Sequence, residues 1–296
     1  MIVERPRDLL VRKILAHAFL IAFLVLIIFP FLVLVSISLR EGNFSVGELL
    51  PDRPTLEHWS LAFGIPFTRP DGIVIQPPFP VMLWMFNSIK VAAIASIGIV
   101  VIATISGYAF ARIKFRGRNG LLDGLFVLQM FPSTLALIAL YAIFDGLGEV
   151  SPLLGIDSHW SVILVYLSWV TLHIWTLKGY FDSIDPAMDK AAQIDGATPW
   201  QTFRFVFLPL AVPMIAVVFV LSFIGIINDY PIASVLLRDE ENLTLAVGSR
   251  LYLNEFLYLW GDFAAAAILS GLPITVVFLI AQRYLVSGLT EGSVKG

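Results

Sequence analysis

The feature that most constrains this chain is a series of long apolar segments that contain almost no charge. A membrane-spanning helix needs roughly 20 apolar residues, because each residue rises about 1.5 Å along its axis. Only helices and closed barrels satisfy every backbone polar group in lipid, and no segment shows the short alternating pattern of a barrel strand. Six segments qualify, at about 14–39, 91–111, 124–144, 160–177, 205–228 and 263–282.

The composition is that of a membrane protein. Of the 296 residues, 58% are hydrophobic and only 14% are charged, whereas an average soluble domain has about 25% charged residues. The net charge of −3 offers no basic surface for nucleic acid. The chain contains no cysteine, which excludes disulfides and thiol chemistry. The sequence therefore predicts an all-α membrane protein with six transmembrane helices, surrounded by membrane lipid.

The distribution of positive charges predicts the orientation. Of the 19 Lys and Arg residues, 13 lie on one side of the predicted helices and six on the other. Because Lys and Arg are enriched in cytoplasmic loops, we expect both termini to be cytoplasmic. The resulting segments are the cytoplasmic N-terminus (1–13), the first transmembrane helix (14–39), an outer loop (40–84), a core of helices two to six (85–289) and a cytoplasmic tail (290–296).

Two loops on the outer side carry aromatic side chains. The 40–84 loop contains seven prolines, but its tryptophans and phenylalanines argue against disorder, so we expect an ordered, irregular cap. The 229–259 loop combines the acidic run Asp239, Glu240 and Glu241 with several aromatic residues. These side chains form either an interfacial aromatic belt beside a solvated charge run or a contact with an outside partner.

The 185–213 loop has the local chemistry of two helices joined by a sharp turn. An acidic N-cap followed by proline predicts the start of the first helix, and a glycine predicts its left-handed end. A capping box predicts the start of the second helix. The residues concerned are Asp185 and Pro186, then Gly196, then Thr198, Pro199 and Gln201.

Small apolar residues recur at helical spacing on the first helix of this loop and give it one shallow apolar face. That face either packs against the ends of the protein's own membrane helices or enters a groove on a soluble partner. Its residues are Ile184, Ala187, Met188, Ala191 and Ile194.

Catalytic and cofactor motifs are missing from the sequence. No Gly-x-x-x-x-Gly-Lys-Ser/Thr run occurs, so we expect a partner to supply any ATP hydrolysis. The four histidines are too scattered for a metal motif, and neither the catalytic cluster of a membrane enzyme nor the deep carboxylates of an ion-coupled transporter are evident. Gln129 and His173 lie inside predicted membrane helices, where they either bond neighbouring helices or line a translocation path.

The 185–213 loop also resembles the EAA loop of ABC-importer permeases. In that family, Glu-Ala-Ala is followed by three residues, a glycine and later Leu-Pro, all before the penultimate membrane helix. One position departs from the pattern, because Lys190 stands where the family has glutamate, with Asp189 beside it. The matching residues are Ala191, Ala192, Asp195, Gly196, Ala197, Pro209 and Pro213.

Further motifs resemble one branch of that family, the smaller permease subunits of bacterial maltose/maltodextrin importers. This resemblance implies a type I ABC-importer permease fold in the bacterial inner membrane and non-enzymatic import of maltose or maltodextrins by alternating access. Permease for a different oligosaccharide is the alternative. The motifs are Gln129-Met130-Phe131-Pro132, Trp260-Gly261-Asp262-Phe263-Ala264-Ala265-Ala266 and Gly288-Leu289-Thr290.

The resemblance also implies the partners and their contact sites. The partners are a second, larger permease subunit, a periplasmic maltose/maltodextrin-binding protein, and two copies of a cytoplasmic ATPase subunit that bind the ATP and Mg²⁺; this chain would hold no cofactor. The ATPase-coupling residues are Met188, Asp189, Lys190, Ala191, Ala192, Ile194, Asp195, Gly196 and Ala197. The binding-protein contact is Asn254, Glu255 and Phe256, and the ATPase-contacting tail is Gly292, Val294, Lys295 and Gly296.

Overall fold

The computed structural model describes residues 6–131, 133–254 and 257–291, and these are mostly helical. The helices are α1 (Pro6–Ser38), α2 (Glu57–Ala62), α3 (Val81–Arg112), α4 (Arg118–Gln129), α5 (Leu137–Val150), α6 (His159–Leu167), α7 (Val170–Ser183), α8 (Ala187–Ile194), α9 (Pro199–Thr202), α10 (Leu208–Ile227), α11 (Pro231–Leu236), α12 (Leu245–Gly248) and α13 (Trp260–Glu291). The strands form two antiparallel hairpins, β1 (Phe67–Thr68) with β2 (Val74–Ile75), and β3 (Leu253–Asn254) with β4 (Leu257–Tyr258).

Four helical stretches of the described chain are long and apolar enough to cross a membrane. They correspond to the first, second, fifth and sixth predicted segments. Several extend beyond the predicted ends, because hydropathy marks only the apolar part of a helix that continues into polar surroundings. The stretches are Leu10–Ser38, Val81–Arg112, Pro199–Ile227 and Trp260–Tyr284.

The two remaining predicted segments are interrupted. The fourth consists of α6 and α7, which together are long and apolar enough for one span but bend by 42° across a short break. The continuous helix expected over 124–144 is wrong, because α4 ends at Gln129 and α5 begins only at Leu137, after the 3₁₀ turn Ser133–Ala136. Apolar composition reports burial in lipid or protein and not helix continuity, so it could not show these breaks; in the third segment only Pro132, a residue that can kink a helix, pointed to an interruption. Six crossings and the side of each terminus therefore remain a proposal.

The described residues divide into two compact units. The first lies within 1–81 and 249–269 and includes the predicted cap. In it, the Trp59 indole donates to Ser38 Oγ at 3.2 Å, and the buried Glu57 carboxylate accepts two hydrogen bonds from the Arg69 guanidinium at 2.9 and 2.6 Å. Together with the β1–β2 hairpin, these contacts give the proline-rich segment the ordered, irregular structure that we expected.

The second unit lies within 82–248 and 270–296 and is built on close helix packing. A Cβ added at Gly107 on α3 would lie 3.0 Å from the Leu177 Cβ and 3.1 Å from the Lys178 backbone nitrogen on α7. The two backbones can approach this closely only because position 107 has no side chain. The core around them includes the fully buried Tyr166, Phe181 and Phe207.

Backbone carbonyls of the 229–259 loop hold the start of α3. The Trp84 indole donates to the Glu240 carbonyl at 2.6 Å, and the Asn87 amide donates to the Glu241 and Leu243 carbonyls at 2.8 and 3.1 Å. The side chains of Asp239, Glu240 and Glu241 remain exposed. The acidic run is therefore solvated in this chain, and both expectations for it, solvated charge or partner contact, stay open.

Candidate functional site

The 185–213 loop folds as its local chemistry predicts. The Asp185 carboxylate accepts a hydrogen bond from the Ala187 backbone nitrogen at 2.8 Å, as a capping residue does. The helix itself, α8, begins at Ala187, one residue later than expected. It ends before Gly196, which adopts the left-handed conformation with φ of +77°. The sharp turn after α8 therefore depends on glycine at position 196.

A complete capping box starts the next helix. Thr198 Oγ1 accepts from the Gln201 backbone nitrogen at 3.3 Å, and the Gln201 side chain accepts from the Thr198 nitrogen at 2.8 Å. From Pro199 the chain continues through α9, the π-helical turn Phe203–Phe207 and α10 without leaving the helical path. The turn after α8 is thus followed directly by a membrane-length helix.

Arg112, at the end of α3, is the main polar link between α8 and the rest of its unit. One guanidinium nitrogen lies 3.0 Å from the Asp189 carboxylate, and the other donates to the Phe181 and Ile184 carbonyls at 2.6 and 2.5 Å. The guanidinium also lies 4.8 Å from the centre of the Phe207 ring, within range of a cation–π contact. A single side chain therefore joins α3, the end of α7, α8 and the π-helical turn.

Aromatic packing supports the same junction. The Tyr108 ring, one turn before Arg112 on α3, lies 5.8 Å from the Phe181 ring, 4.9 Å from Phe203 and 5.3 Å from Phe207. Such contacts transmit displacement, because packed aromatic rings deform little. Sequence reasoning missed Tyr108 and Arg112 as members of this site. Only their position in the sequence pointed to them, because both lie at the positively charged end of a predicted membrane helix.

The apolar face of α8 is open. The side chains of Ala187, Met188, Ala191 and Ile194 are exposed, with 40% of Met188 and 86% of Ile194 accessible. The expectation that this face packs on the protein's own helix ends is therefore wrong, because α8 is attached instead through the buried Ala192 and through Asp189. A free apolar face on a short helix is the surface that a groove on a partner would cover.

The charged residues of the predicted site have separate environments. The Asp189 carboxylate pairs with Arg112 at 3.0 Å; its role as a substitute for the glutamate that the family pattern has at position 190 stays a prediction. Lys190 and Asp195 are exposed, as is Gly196, while Ala197 is half-buried. Lys190 is thus the exposed charge on α8 at the position that departs from the family pattern.

The two other predicted sites fall largely outside the described residues. Glu255 and Phe256 lie outside them, and Asn254 is described only as part of strand β3, which pairs with Leu257 of β4. Gly292, Val294, Lys295 and Gly296 also lie outside the described residues. The expected binding-protein contact and ATPase-contacting tail therefore stay predictions.

The intramembrane polar residues meet at a cavity. Gln129 at the end of α4 and His173 on α7 both line a space of about 710 Å³. The His173 ring also lies 3.1 Å from the Ser222 hydroxyl of α10. His173 therefore bonds a neighbouring helix, as one of the two expectations held, and it also lines this cavity; its place on a translocation path stays a prediction.

A buried polar network anchors the first unit. The fully buried His58 ring places Nδ1 2.6 Å from the Asp262 carboxylate and Nε2 3.0 Å from the Gly42 carbonyl. Burial by itself lowers the pKa of His58, but the hydrogen bond and charge of Asp262 outweigh it, so the net pKa is raised. Since both ring nitrogens face acceptors, the imidazolium form is the one that fits.

Comparison with known proteins identifies the family. The profile of the family described as "Binding-protein-dependent transport system inner membrane component" matches residues 99–291, which include α8 and its junction with Arg112. The chain belongs to this family. It is accordingly a multi-pass protein of the inner membrane, and its family role is that of a transport component and not a catalytic subunit.

Individual relatives match over the full chain. The maltose/maltodextrin transport system permease protein MalG of Photorhabdus laumondii is 56% identical over 296 residues and 100% of both chains. The protein of the same name from Escherichia coli K12 is 54% identical over the same extent, and that of Vibrio parahaemolyticus is 58% identical over 95% of both chains.

A solved structure supports the fold. The crystal structure of a bacterial ABC transporter involved in the import of the acidic polysaccharide alginate contains a chain that matches with a TM-score of 0.75. The match covers 95% of this permease and 99% of that chain at 20% sequence identity. At this identity the likeness shows that the two chains share a type I permease fold, and it gives no information about the sugar.

Proposed function

We propose that this permease moves maltose and maltodextrins across the inner membrane as one subunit of an ATP-driven, binding-protein-dependent importer. The observation that carries the proposal is identity of 54–58% to MalG permeases over 95–100% of the chain. The presence of the loop with the EAA-like pattern before the fifth predicted span agrees with it. The proposed partners are a second, larger permease subunit, two copies of an ATPase and a periplasmic binding protein.

In this proposal, α8 would transmit the conformational change of the ATPase to the membrane helices. The exposed apolar face of Met188, Ala191 and Ile194 would dock in a groove of the ATPase, and the partner subunits would bind the nucleotide and Mg²⁺. Closure of the ATPase dimer would then move α8 as a rigid body, because Arg112 holds it to α3, to the end of α7 and to the π-helical turn. Two packed arrangements of the helices, open to opposite sides, would make up the transport cycle.

The proposal also includes two further partner contacts and the orientation of the chain. Asn254, Glu255 and Phe256 would meet the periplasmic binding protein, and the tail from Gly292 to Gly296 would meet the ATPase dimer. With six crossings, both termini would lie in the cytoplasm. The two contacts follow the resemblance of the sequence to the maltose/maltodextrin permease branch, and the orientation follows the distribution of Lys and Arg.

Reconstitution tests the proposal directly. We expect the permease, purified from its native membrane, to bring with it one larger permease and two ATPase copies. In proteoliposomes supplied with the binding protein and ATP, this assembly should import labelled maltose and maltohexaose and not xylo-oligosaccharides of matched length. Import of another oligosaccharide in place of maltose would refute the substrate, and sugar uptake by the purified chain alone would refute the ATP-driven mechanism.

A further inference from the structure

A second, polar pocket lies where two predicted membrane helices meet the outer loops. It has a volume of about 310 Å³, and every residue that lines it belongs to the second unit. Two of these residues, Lys90 on α3 and Trp160 on α6, lie within one residue of the starts of the predicted segments 91–111 and 160–177. Lysine and tryptophan are typical of the boundary between the hydrocarbon core and the headgroup region. The pocket therefore lies at the depth of the lipid headgroups.

The pocket contains one lysine and one aspartate, Lys90 and Asp157, which do not pair with each other. The Lys90 ammonium is half-buried, lies 5.7 Å from the centre of the Phe86 ring and forms no ion pair with a carboxylate of the described chain. Withdrawing an ammonium from water is costly unless an anion accompanies it. An anionic group bound in the pocket would supply this counter-charge.

The charge of Asp157 is fixed in place by its neighbours. Oδ1 accepts from the backbone nitrogens of Arg238 and Asp239 at 2.9 and 3.0 Å, and Oδ2 accepts from the Asn242 amide at 2.7 Å. Burial alone would raise the pKa of Asp157, but these hydrogen bonds outweigh it, so the net pKa is lowered and the carboxylate is ionised. A carboxylate accepts about four hydrogen bonds, so Oδ2 can accept one more.

Further side chains make the pocket polar at one end and apolar at the other. His159 Nε2 lies 2.8 Å from the Asn242 carbonyl and donates to it in the neutral ring, which leaves Nδ1 as an acceptor. Trp160 is 48% exposed, and its indole N–H meets no acceptor among the described residues. One turn further into the membrane segments, the lining residues are Ile94 and Ile163. The pocket thus matches an amphipathic ligand.

These features discriminate between ligand classes. A simple anion would pair with Lys90 but would also meet the fixed charge of Asp157, and a simple cation would meet the opposite conflict. A zwitterion satisfies both charges. A water-soluble zwitterion would leave the apolar end uncovered, whereas a phospholipid covers it with its glycerol and first acyl carbons. A primary ammonium donates three hydrogen bonds, whereas a trimethylated one has no N–H to offer the acceptors at Asp157 and His159.

We propose that this pocket binds the headgroup of a zwitterionic phospholipid with a primary ammonium, phosphatidylethanolamine, in the outer leaflet of the membrane. Lys90 and the Trp160 indole N–H contact its phosphate. Asp157 Oδ2 and His159 Nδ1 accept hydrogen bonds from its ammonium. The leaflet follows from the predicted orientation, and the binding itself is independent of the sugar that is transported.

Lipid retention by the purified protein tests this proposal. The permease, in the complex with which it is purified, is incubated with mixed micelles of phosphatidylethanolamine, phosphatidylcholine or phosphatidylglycerol with identical acyl chains, and native mass spectrometry counts the bound lipid. Lipid held elsewhere in the complex is removed by subtracting the amount that Lys90→Met retains. We expect the remaining, Lys90-dependent binding to favour phosphatidylethanolamine about fivefold to tenfold, because only this lipid combines a phosphate with a charged N–H donor.

Variants of the pocket should grade this binding. Lys90→Met should lower the affinity for phosphatidylethanolamine about tenfold and Trp160→Phe about threefold, since each removes one contact to the phosphate. Lys90→Arg, which keeps the charge, should retain most of the binding. Arg53→Met is the matched control, because Arg53 is exposed in the 40–84 loop and does not line the pocket; its lipid binding should equal that of the wild type.

Three results would overturn the inference. Equal retention of phosphatidylethanolamine and phosphatidylcholine by the wild type, unchanged in Lys90→Met, would show only unselective lipid around the helices. Equal Lys90-dependent retention of phosphatidylethanolamine and phosphatidylglycerol would show an anion site in which Asp157 has no part. Normal lipid retention by Lys90→Met, together with weaker attachment of the periplasmic binding protein in lipid-free detergent, would assign the pocket to a protein contact. Failure of sugar import would bear on the proposed function alone.

Discussion

At the scale of single residues, Arg112 shows how much of the 185–213 loop depends on one side chain. It contacts a carboxylate, two carbonyls and an aromatic face, and both it and Asp189 are mostly buried, at 11% and 20% side-chain exposure. Lysine cannot reproduce this set of contacts, because its ammonium is a compact point charge without a planar fork. Position 112 is therefore specific for arginine and not for positive charge in general.

We expect Arg112→Lys to separate ATP hydrolysis from transport. The variant should keep the charge but lose the bridging geometry, so that sugar imported per ATP hydrolysed falls roughly tenfold, in line with the loss of about 1.4 kcal/mol of contacts. Arg116→Lys, at an exposed position nearby, is the control. In a double-mutant cycle with Arg112→Met and Asp189→Leu, thermal unfolding should give a coupling energy of about 1 kcal/mol. Strict additivity would contradict the pairing.

His58 gives the first unit a pH-dependent contact. Because the folded-state pKa of His58 is raised, the stability from its pair with Asp262 is fully present below the ordinary pKa of about 6.5 and is lost as the pH rises through the folded-state pKa. We expect limited proteolysis within residues 43–58 to accelerate as the pH is raised from 6 to 9. The His58→Gln variant, which cannot titrate there, should show a flat profile after correction for protease activity. A wild-type profile equally flat would exclude the imidazolium pair.

At the scale of elements, the turn between α8 and α9 sets the direction in which α8 leaves the membrane helices. Gly196 has φ of +77°, and a Cβ added at this position would meet no atom within 4 Å. Substitution at this position therefore strains the backbone conformation and not the packing. The left-handed conformation costs about 1–2 kcal/mol for a residue with a Cβ. Asparagine tolerates the left-handed region better than other residues.

We expect Gly196→Val to reduce transport strongly while ATP hydrolysis continues, and Gly196→Asn to retain most of it. Measurement of sugar uptake and ATP hydrolysis in the same proteoliposomes separates the two activities. Gly179→Val is the control for added bulk, since a Cβ added at Gly179 would also meet no atom within 4 Å and Gly179 has no positive φ. Normal uptake by Gly196→Val would show that the turn is not needed for coupling.

Some of these features could be predicted from the sequence and others could not, for a physical reason. The caps around α8 depend on residues close in sequence, Asp185, Gly196 and Thr198, so they could be predicted from the sequence alone. The Arg112–Asp189 pair joins residues far apart in the chain, and neither residue type indicates which residue it pairs with. The cavity between α4 and α7 depends on where helices break, which apolar composition does not encode.

At the scale of the whole molecule, the number of crossings depends on α4 and α5. If they cross the membrane together, despite the interruption between them, the residues at their two ends face opposite sides. A single cysteine at Arg116→Cys should then react with a membrane-impermeant maleimide only from the cytoplasm, and one at Glu149→Cys only from outside. Both positions are exposed. Labelling of both from the same side would show that α4 and α5 re-enter, which would leave five crossings.

The first helix has a consequence for how the protein is made. No residue of the most apolar 18-residue window of α1 is buried within the chain, so this part of α1 needs no later segment of the chain to complete its surroundings. It can leave the translocon and enter the lipid as soon as it is synthesised, and in the predicted orientation the four basic residues before and within its first turns would stay on the cytoplasmic side. Biosynthesis would then begin from a fixed anchor, and the remaining segments, broken helices included, would assemble against a membrane topology already chosen.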